Sequence, residues 1–338
     1  MGQGLAGSIL ALELIKSGKS VLVIDKPELS GSSRVAAGIW NPVVFKRLTK
    51  SWMADEIVPV LLDFYWDAEK TLGCKFLDEK KIVKLFTEEQ ETALWKKKAA
   101  DEMALYLDPA TFTIHEPINS EAGYVLRTGN IDTRKFLGES REYLTKTDSF
   151  LEEQFAFGNL TTTESSVSYK EYSADSIIFC EGYLMKNNPY FNYIPLKPAK
   201  GDVLTIKCKE LNIDFILNKG VFIMPLGNDL FKVGATYDWE DLTDEPSEKG
   251  KKELVEKLNK ILPYDYEVVK HEAGVRPSTI DRRPVIGKHP VNENIQLFNG
   301  FGTKAVMLAP YFAKQFILFL EGENKLNQEV DCRRFKQA

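Results

Sequence analysis

Apolar residues first recur at helical spacing over Ser8-Ile9-Leu10-Ala11-Leu12-Glu13-Leu14-Ile15-Lys16, and Ser17-Gly18-Lys19 supplies a C-terminal stop. The apolar run Val21-Leu22-Val23-Ile24 follows, reads as a buried strand and ends at Asp25. Pro27-Glu28-Leu29-Ser30-Gly31 then turns the chain into a stretch of small residues, 32–42. Helical spacing returns over roughly 52–70 and 88–106, the first with Trp52, Met53, Ile57, Val60, Leu61, Phe64 and Tyr65 at its apolar positions. Asp132 caps a helix that starts at Thr133. Residues 176–180 form a short buried strand that stops at Glu181-Gly182. Segments 202–207, 214–217, 221–224 and 230–236 are β-like, and Leu226-Gly227-Asn228-Asp229 reads as a hairpin turn. A helix over 247–262, a set of Gly-rich turns and a long apolar helix over about 305–320 complete the pattern.

The order of these elements predicts an α/β protein in two parts. Nucleotide-binding signals stand at the start, middle and end, with antiparallel-sheet signals between them. Residues 1–45, 129–189 and 274–338 are expected to assemble a discontinuous Rossmann-like domain. Residues 46–128 and 190–273 are expected to form an inserted antiparallel-sheet α+β domain that binds substrate.

The chain opens on Met1-Gly2-Gln3-Gly4-Leu5-Ala6-Gly7-Ser8, a G-x-G-x-x-G fingerprint. In that motif Gly2 makes the tight turn, Gly4 lets backbone approach a pyrophosphate and Gly7 lets the helix pack closely. Asp25 lies where an acidic residue accepts hydrogen bonds from a ribose. Alone, the motif fits NAD, NADP or FAD. The strand that normally precedes it is missing, so the natural chain is expected to begin about six to ten residues upstream, a buried strand's length.

Charge and composition narrow the classes. The 338 residues are 43% hydrophobic and carry a formal net charge of −5, which argues against nucleic acid as the main partner. No apolar stretch is long enough to span a bilayer. Cys74, Cys180, Cys208 and Cys332 are widely spaced, as expected of free thiols in a reducing cytoplasm. His115, His271 and His289 show no metal-ligand spacing, and no metal is expected.

The most specific pattern lies near the C-terminus: Gly274-Val275-Arg276-Pro277-Ser278-Thr279-Ile280-Asp281-Arg282-Arg283-Pro284-Val285-Ile286-Gly287, then Asn299-Gly300-Phe301-Gly302-Thr303-Lys304-Ala305-Val306-Met307-Leu308-Ala309-Pro310. With the opening fingerprint, the 34–42 segment, Pro198-Ala199-Lys200-Gly201-Asp202 and Val233-Gly234-Ala235-Thr236, these residues resemble the D-amino-acid oxidase family of FAD-dependent oxidoreductases. The resemblance is to its glycine-oxidase-like branch and runs along essentially the whole chain.

The resemblance implies a non-covalently bound FAD. Gly2, Gly4 and Gly7 would cradle its pyrophosphate, and Asp25 would hold the adenosine ribose. Ser32, Ser33, Arg34, Ala36, Ala37 and Gly38 would line the passage to the flavin, which Gly182 would also approach. Gly302, Thr303 and Lys304 would lie beside the flavin's pyrimidine end. Arg276 would bind a substrate carboxylate bidentately. The alternative for Arg276 is a structural arginine paired with Asp281 or Glu272. Phe222 stands where that branch often has a tyrosine, and Ala305 where a glycine is usual. Tyr237 and Trp239 lie nearby in sequence, with no position at the substrate implied.

The implied reaction is hydride transfer from an amine-bearing carbon of a small amine or amino acid to the flavin, followed by imine hydrolysis, with O2 as acceptor. Two alternatives stand beside it. One is oxidation of a carboxymethylamino group on a tRNA base, which the absence of a basic stripe opposes. The other is an FAD-binding protein without turnover, which Arg276 opposes.

Overall fold

The computed structural model describes residues 1–26, 31–115 and 118–335. The turn expected at Pro27 to Ser30 lies outside them. The chain opens with helix α1 (Leu5–Lys16), strand β1 (Val23–Asp25) and the short helix α2 (Ser32–Val35). Helix α3 (Ala54–Leu72), strand β2 (Ile82–Leu85), helix α4 (Glu89–Ala99) and strands β3 (Leu107–Ile114) and β4 (Ser120–Val125) follow. Next come helix α5 (Thr133–Lys146), β5 (Phe150–Glu152), β6 (Ile177–Phe179) and β7 (Ala199–Lys207). The last part holds β8 (Ile216–Asn218), β9 (Phe222–Gly227), β10 (Leu230–Gly234), helix α6 (Glu248–Asn259) and β11 (Glu267–Arg276). Strands β12 (Val285–Lys288) and β13 (Ile295–Asn299) lead into helix α7 (Ala305–Leu320).

An eight-stranded sheet in the order β11-β7-β10-β9-β8-β2-β4-β3 is the largest unit. Its strands come from 82–125 and 199–276. Leu204, Ile206, Leu217, Ile223 and Val233 on one face are sealed by Leu254 and Leu258 of α6. The other face carries Gly201, Gly234, Phe222, Asn218 and Arg276, and forms the floor of the cavity described below. At Gly234 an added Cβ would lie 2.8 Å from Val203 Cγ1 and 2.9 Å from Phe222 Cζ, so the floor is closed there by its neighbours' side chains.

Two smaller parallel units flank the amino end: β1 with β5, and β6 with β13, the latter extended antiparallel by β12. Met1 stands between them. Its amine donates to Ile178 O and its carbonyl accepts from Cys180 N, both at 2.8 Å, while Gly2 N donates to Ile24 O at 2.9 Å. Met1 and Gly2 therefore bridge the two units.

Helix α7 packs on α1 and α3. Pro310 inside it has no N–H for the carbonyl of Val306, four residues back. The buried Tyr65 of α3 donates its hydroxyl to that carbonyl instead, at 3.0 Å.

Two expectations need revision. The helix expected over 88–106 ends at Ala99, because Met103 N reaches back to Lys98 O and breaks the i→i−4 ladder. Trp95, Ala99, Met103 and Tyr106 are all buried, so the apolar periodicity is real although the helix stops. Strands β2, β3, β4, β5, β11, β12 and β13 were not among the expected strands; β11 is a sheet edge whose first half is mostly exposed, which hides the alternation.

Candidate active site

A cavity of about 580 Å³ runs from the glycine turn, past α2 and across the floor of the large sheet, to the N-terminus of α7. At its first end Gly2 has φ +95°, and a Cβ there would lie 2.7 Å from Cys180 O. Gly7 has no room for a side chain either, since its Cβ would overlap the Gly2 carbonyl. Gly4 faces Ser33, whose Oγ accepts from Leu5 N at 3.1 Å. The Asp25 carboxylate accepts from Gln3 N (2.8 Å) and Lys26 N (2.9 Å).

The turn is fixed by two residues that the motif does not mark. Buried Gln3 donates through Nε2 to Ser8 Oγ (3.1 Å) and Leu137 O (2.9 Å), and its Oε1 accepts from Arg141 Nε at 2.8 Å. Arg141 also approaches Asp25 to 3.7 Å. Gln3 occupies a free position of the fingerprint and Arg141 sits on α5, so neither carried a sequence signal.

In the middle, Ser32, Ser33, Arg34, Ala36, Ala37 and Gly38 all line the cavity. Strand β11 presses against α2: a Cβ on Gly274 would lie 2.8 Å from Ser32 Cα. The carbonyls that end α2, Val35 O and Ala36 O, accept from Lys232 Nζ at 2.8 and 3.2 Å. Burial pushes the Lys232 ammonium down to about 8. Lys232 is a further residue the sequence did not single out.

At the far end, Gly182, Gly302, Thr303 and Val306 line the wall where α7 begins. First-turn amides of a helix lack intrahelical acceptors and present positive dipole. Lys304 departs from the rest: its side chain turns out of the cavity wall and Nζ donates to Ser51 Oγ. Burial, and then Arg283, push its pKa down.

Arg276 ends β11 on the cavity floor. Its Nη1 donates to Lys200 O and Thr236 O at 3.1 Å, with Ala199 O at 3.5 Å. The Tyr237 ring lies 4.3 Å from its Cζ, and Trp239 stacks on Tyr237 at 6.0 Å. Among the described residues no carboxylate pairs with it. Glu272 takes Arg134 and Lys270, and Asp281 takes Arg334. Burial lowers the Arg276 pKa, opposed by Tyr237 and Asp202. Asp202, 1% exposed, anchors this corner by accepting from Ser247 N (2.8 Å) and Thr236 Oγ1 (3.2 Å), with His271 Nε2 2.8 Å away.

The arrangement pairs a cramped glycine turn with an arginine whose guanidinium is held from behind by carbonyls. A family model described as DAO, FAD dependent oxidoreductase, matches residues 1–317. The chain belongs to this family. The family is described as one of FAD-dependent oxidoreductases, and the residues present fit that cofactor: the turn admits no Cβ at Gly2 or Gly7, and one continuous cavity joins Asp25 to Arg276.

Two relatives show how family members compare. Glycine oxidase of Bacillus licheniformis is 32% identical over 117 residues, 33% of this chain and 31% of that protein. The tRNA 5-methylaminomethyl-2-thiouridine biosynthesis bifunctional protein MnmC of Leptospira borgpetersenii is 26% identical over 317 residues, 85% of this chain and 47% of that protein. The chain thus spans less than half the length of both. Among solved structures, glycine oxidase from Bacillus cereus ATCC 14579 superposes with a TM-score of 0.78 at 17% identity, covering 96% of this chain and 94% of that one. This DAO-family chain therefore shares that fold. None of its helices is long and apolar enough to cross a membrane, among the described residues.

Proposed function

We propose that this enzyme oxidises the carbon–nitrogen bond of a small amine or amino acid bearing a carboxylate. One observation carries the reading: Arg276 lines the same cavity as the glycine turn and the start of α7, yet no carboxylate of the described chain pairs with it. A partly buried guanidinium is stabilised by an anion, and its planar edge binds a carboxylate in a bidentate manner. Carbonyls of Ala199, Lys200 and Thr236 fix the group from behind, so its remaining donors point at substrate.

Residues 1–45, 129–189 and 274–338 hold the cofactor in this reading, non-covalently, and 46–128 with 190–273 hold the substrate. Gly2, Gly4, Gly7, Asp25, Ser32, Ser33, Arg34, Ala36, Ala37, Gly38, Gly182, Gly302 and Thr303 contact FAD, Lys304 through its backbone alone. When bound, FAD accepts the hydride. The chain's part is to orient the amine-bearing carbon and to place positive dipole from α7 at the cofactor. O2 is the proposed electron acceptor, and four free thiols suit a reducing cytoplasm.

Anaerobic mixing of the flavin-loaded enzyme with a panel of amines and amino acids tests this. Bleaching of the flavin by a carboxylate-bearing amine is the expected result; a flavin that stays oxidised with every member overturns it. The MnmC match supports a second reading, oxidation of a carboxymethylamino group on a tRNA base. A net charge of −5 weighs against it. Salt-dependent tRNA binding would favour it.

A further inference from the structure

We propose that the strap formed by residues 237–244 restricts the site to amines carrying one carboxylate, with Asp244 turning away a second. This rests on the carboxylate reading of Arg276 given above.

The strap is built onto the end of the β7–β11 pair. Asp238 exchanges both backbone hydrogen bonds with Lys200, at 2.8 and 3.0 Å. Lys200, 1% exposed, reaches back with Nζ to the Asp241 carboxylate and to Thr243 Oγ1 at 3.1 Å. The strap ends where Asp244 Oδ1 accepts from Val275 N at 3.3 Å, one residue before Arg276. It contributes Tyr237 and Asp244 to the cavity wall: the Tyr237 ring covers the guanidinium, and Asp244 is an exposed carboxylate held next to Val275.

The sheet-floor part of that wall offers a second carboxylate no cation besides Arg276. Phe45, Ile82, Ile216, Val221 and Phe222 line it, with Asn218 as a polar group. The other cations in the wall are the Met1 amine and Lys26, at the glycine-turn end, and Arg34 on α2. One carboxylate is therefore neutralised by Arg276. Another would be desolvated against hydrocarbon or brought towards Asp244, and both outcomes are unfavourable.

Two unreactive ethers that differ by one carboxylate separate the possibilities, methoxyacetate with one and oxydiacetate with two. Titrated into flavin-loaded enzyme and followed by the flavin absorbance change, oxydiacetate should bind about ten-fold or more weakly, the size of one screened unit-charge repulsion. Asp244→Asn keeps an oxygen for Val275 N and should bring the ratio close to one. Equal binding of both ligands to the parent, or an unchanged ratio in Asp244→Asn, overturns the charge rule while leaving the reading of Arg276 intact. If neither ligand binds, the reading of Arg276 fails and the charge rule falls with it.

Discussion

Gly201→Ala would place one methyl group where the Arg276 guanidinium rests. The new Cβ would stand 2.5 Å from Nη1, and closer still to Nη2 and Cζ, whereas ordinary contact begins at 3.4 Å. The guanidinium has to lift by about 1 Å, the shortfall from normal van der Waals separation. Its bonds to Lys200 O and Thr236 O, both 3.1 Å, cannot survive that shift with good geometry. Gly201 lies within β7 and its φ is not in the left-handed region, so alanine brings no backbone strain of its own. The damage should therefore fall on ligand positioning rather than on folding. A displacement of about 1 Å in a positioning group costs on the order of 100-fold, or about 2.7 kcal/mol. The assay is a methoxyacetate titration and anaerobic flavin reduction by the best amine found, with thermal melting as a control for folding. Carboxylate affinity and reduction rate within about three-fold of the parent, at an unchanged melting temperature, would refute the assignment of Arg276.

Three further variants test the frame around the site. Asp202→Ala strands the half-buried Ser247 N–H and the buried Thr236 hydroxyl and removes the partner of His271, and should cost about 3 kcal/mol in urea unfolding; a loss below about 1 kcal/mol would contradict its role as an anchor. Tyr65→Phe leaves Val306 O without a donor opposite Pro310 and should cost about 1–2 kcal/mol by the same measure, with no loss expected if water replaces the hydroxyl. Lys232 has a folded pKa of about 8, below its ordinary 10.5, so the unfolded chain binds that proton more tightly. Its linkage raises stability as pH climbs from about 8 to about 10.5 and is flat below that window. Lys232→Met lacks this rise, so parent stability minus variant stability should grow by up to about 3 kcal/mol across the window; a constant difference would show that Lys232 titrates normally.

How much of this was legible depended on whether a property is carried by neighbours in sequence. The glycine turn, its helix and Asp25 lie within one βα unit, and local spacing was enough to find them. The long apolar helix was legible end to end because it is buried on most sides, and its own pattern decides its limits. Lys304 was not: at the head of α7 its side chain can turn either way, and Ser51, from a distant segment, decides the direction. Tyr237 was visible as a residue but not as the cover of Arg276, because its place depends on how Lys200 holds the strap. Gln3 and Arg141 show the same limit, since their bond joins residues 138 positions apart.

The link between the two small parallel units has a mechanical side. Met1 and Gly2 bridge them, through Ile178 O and Cys180 N on one side and Ile24 O on the other. The glycine turn is thereby tied to both units at once, so a shift of register in either strand would be carried straight to the residues that line the first end of the cavity.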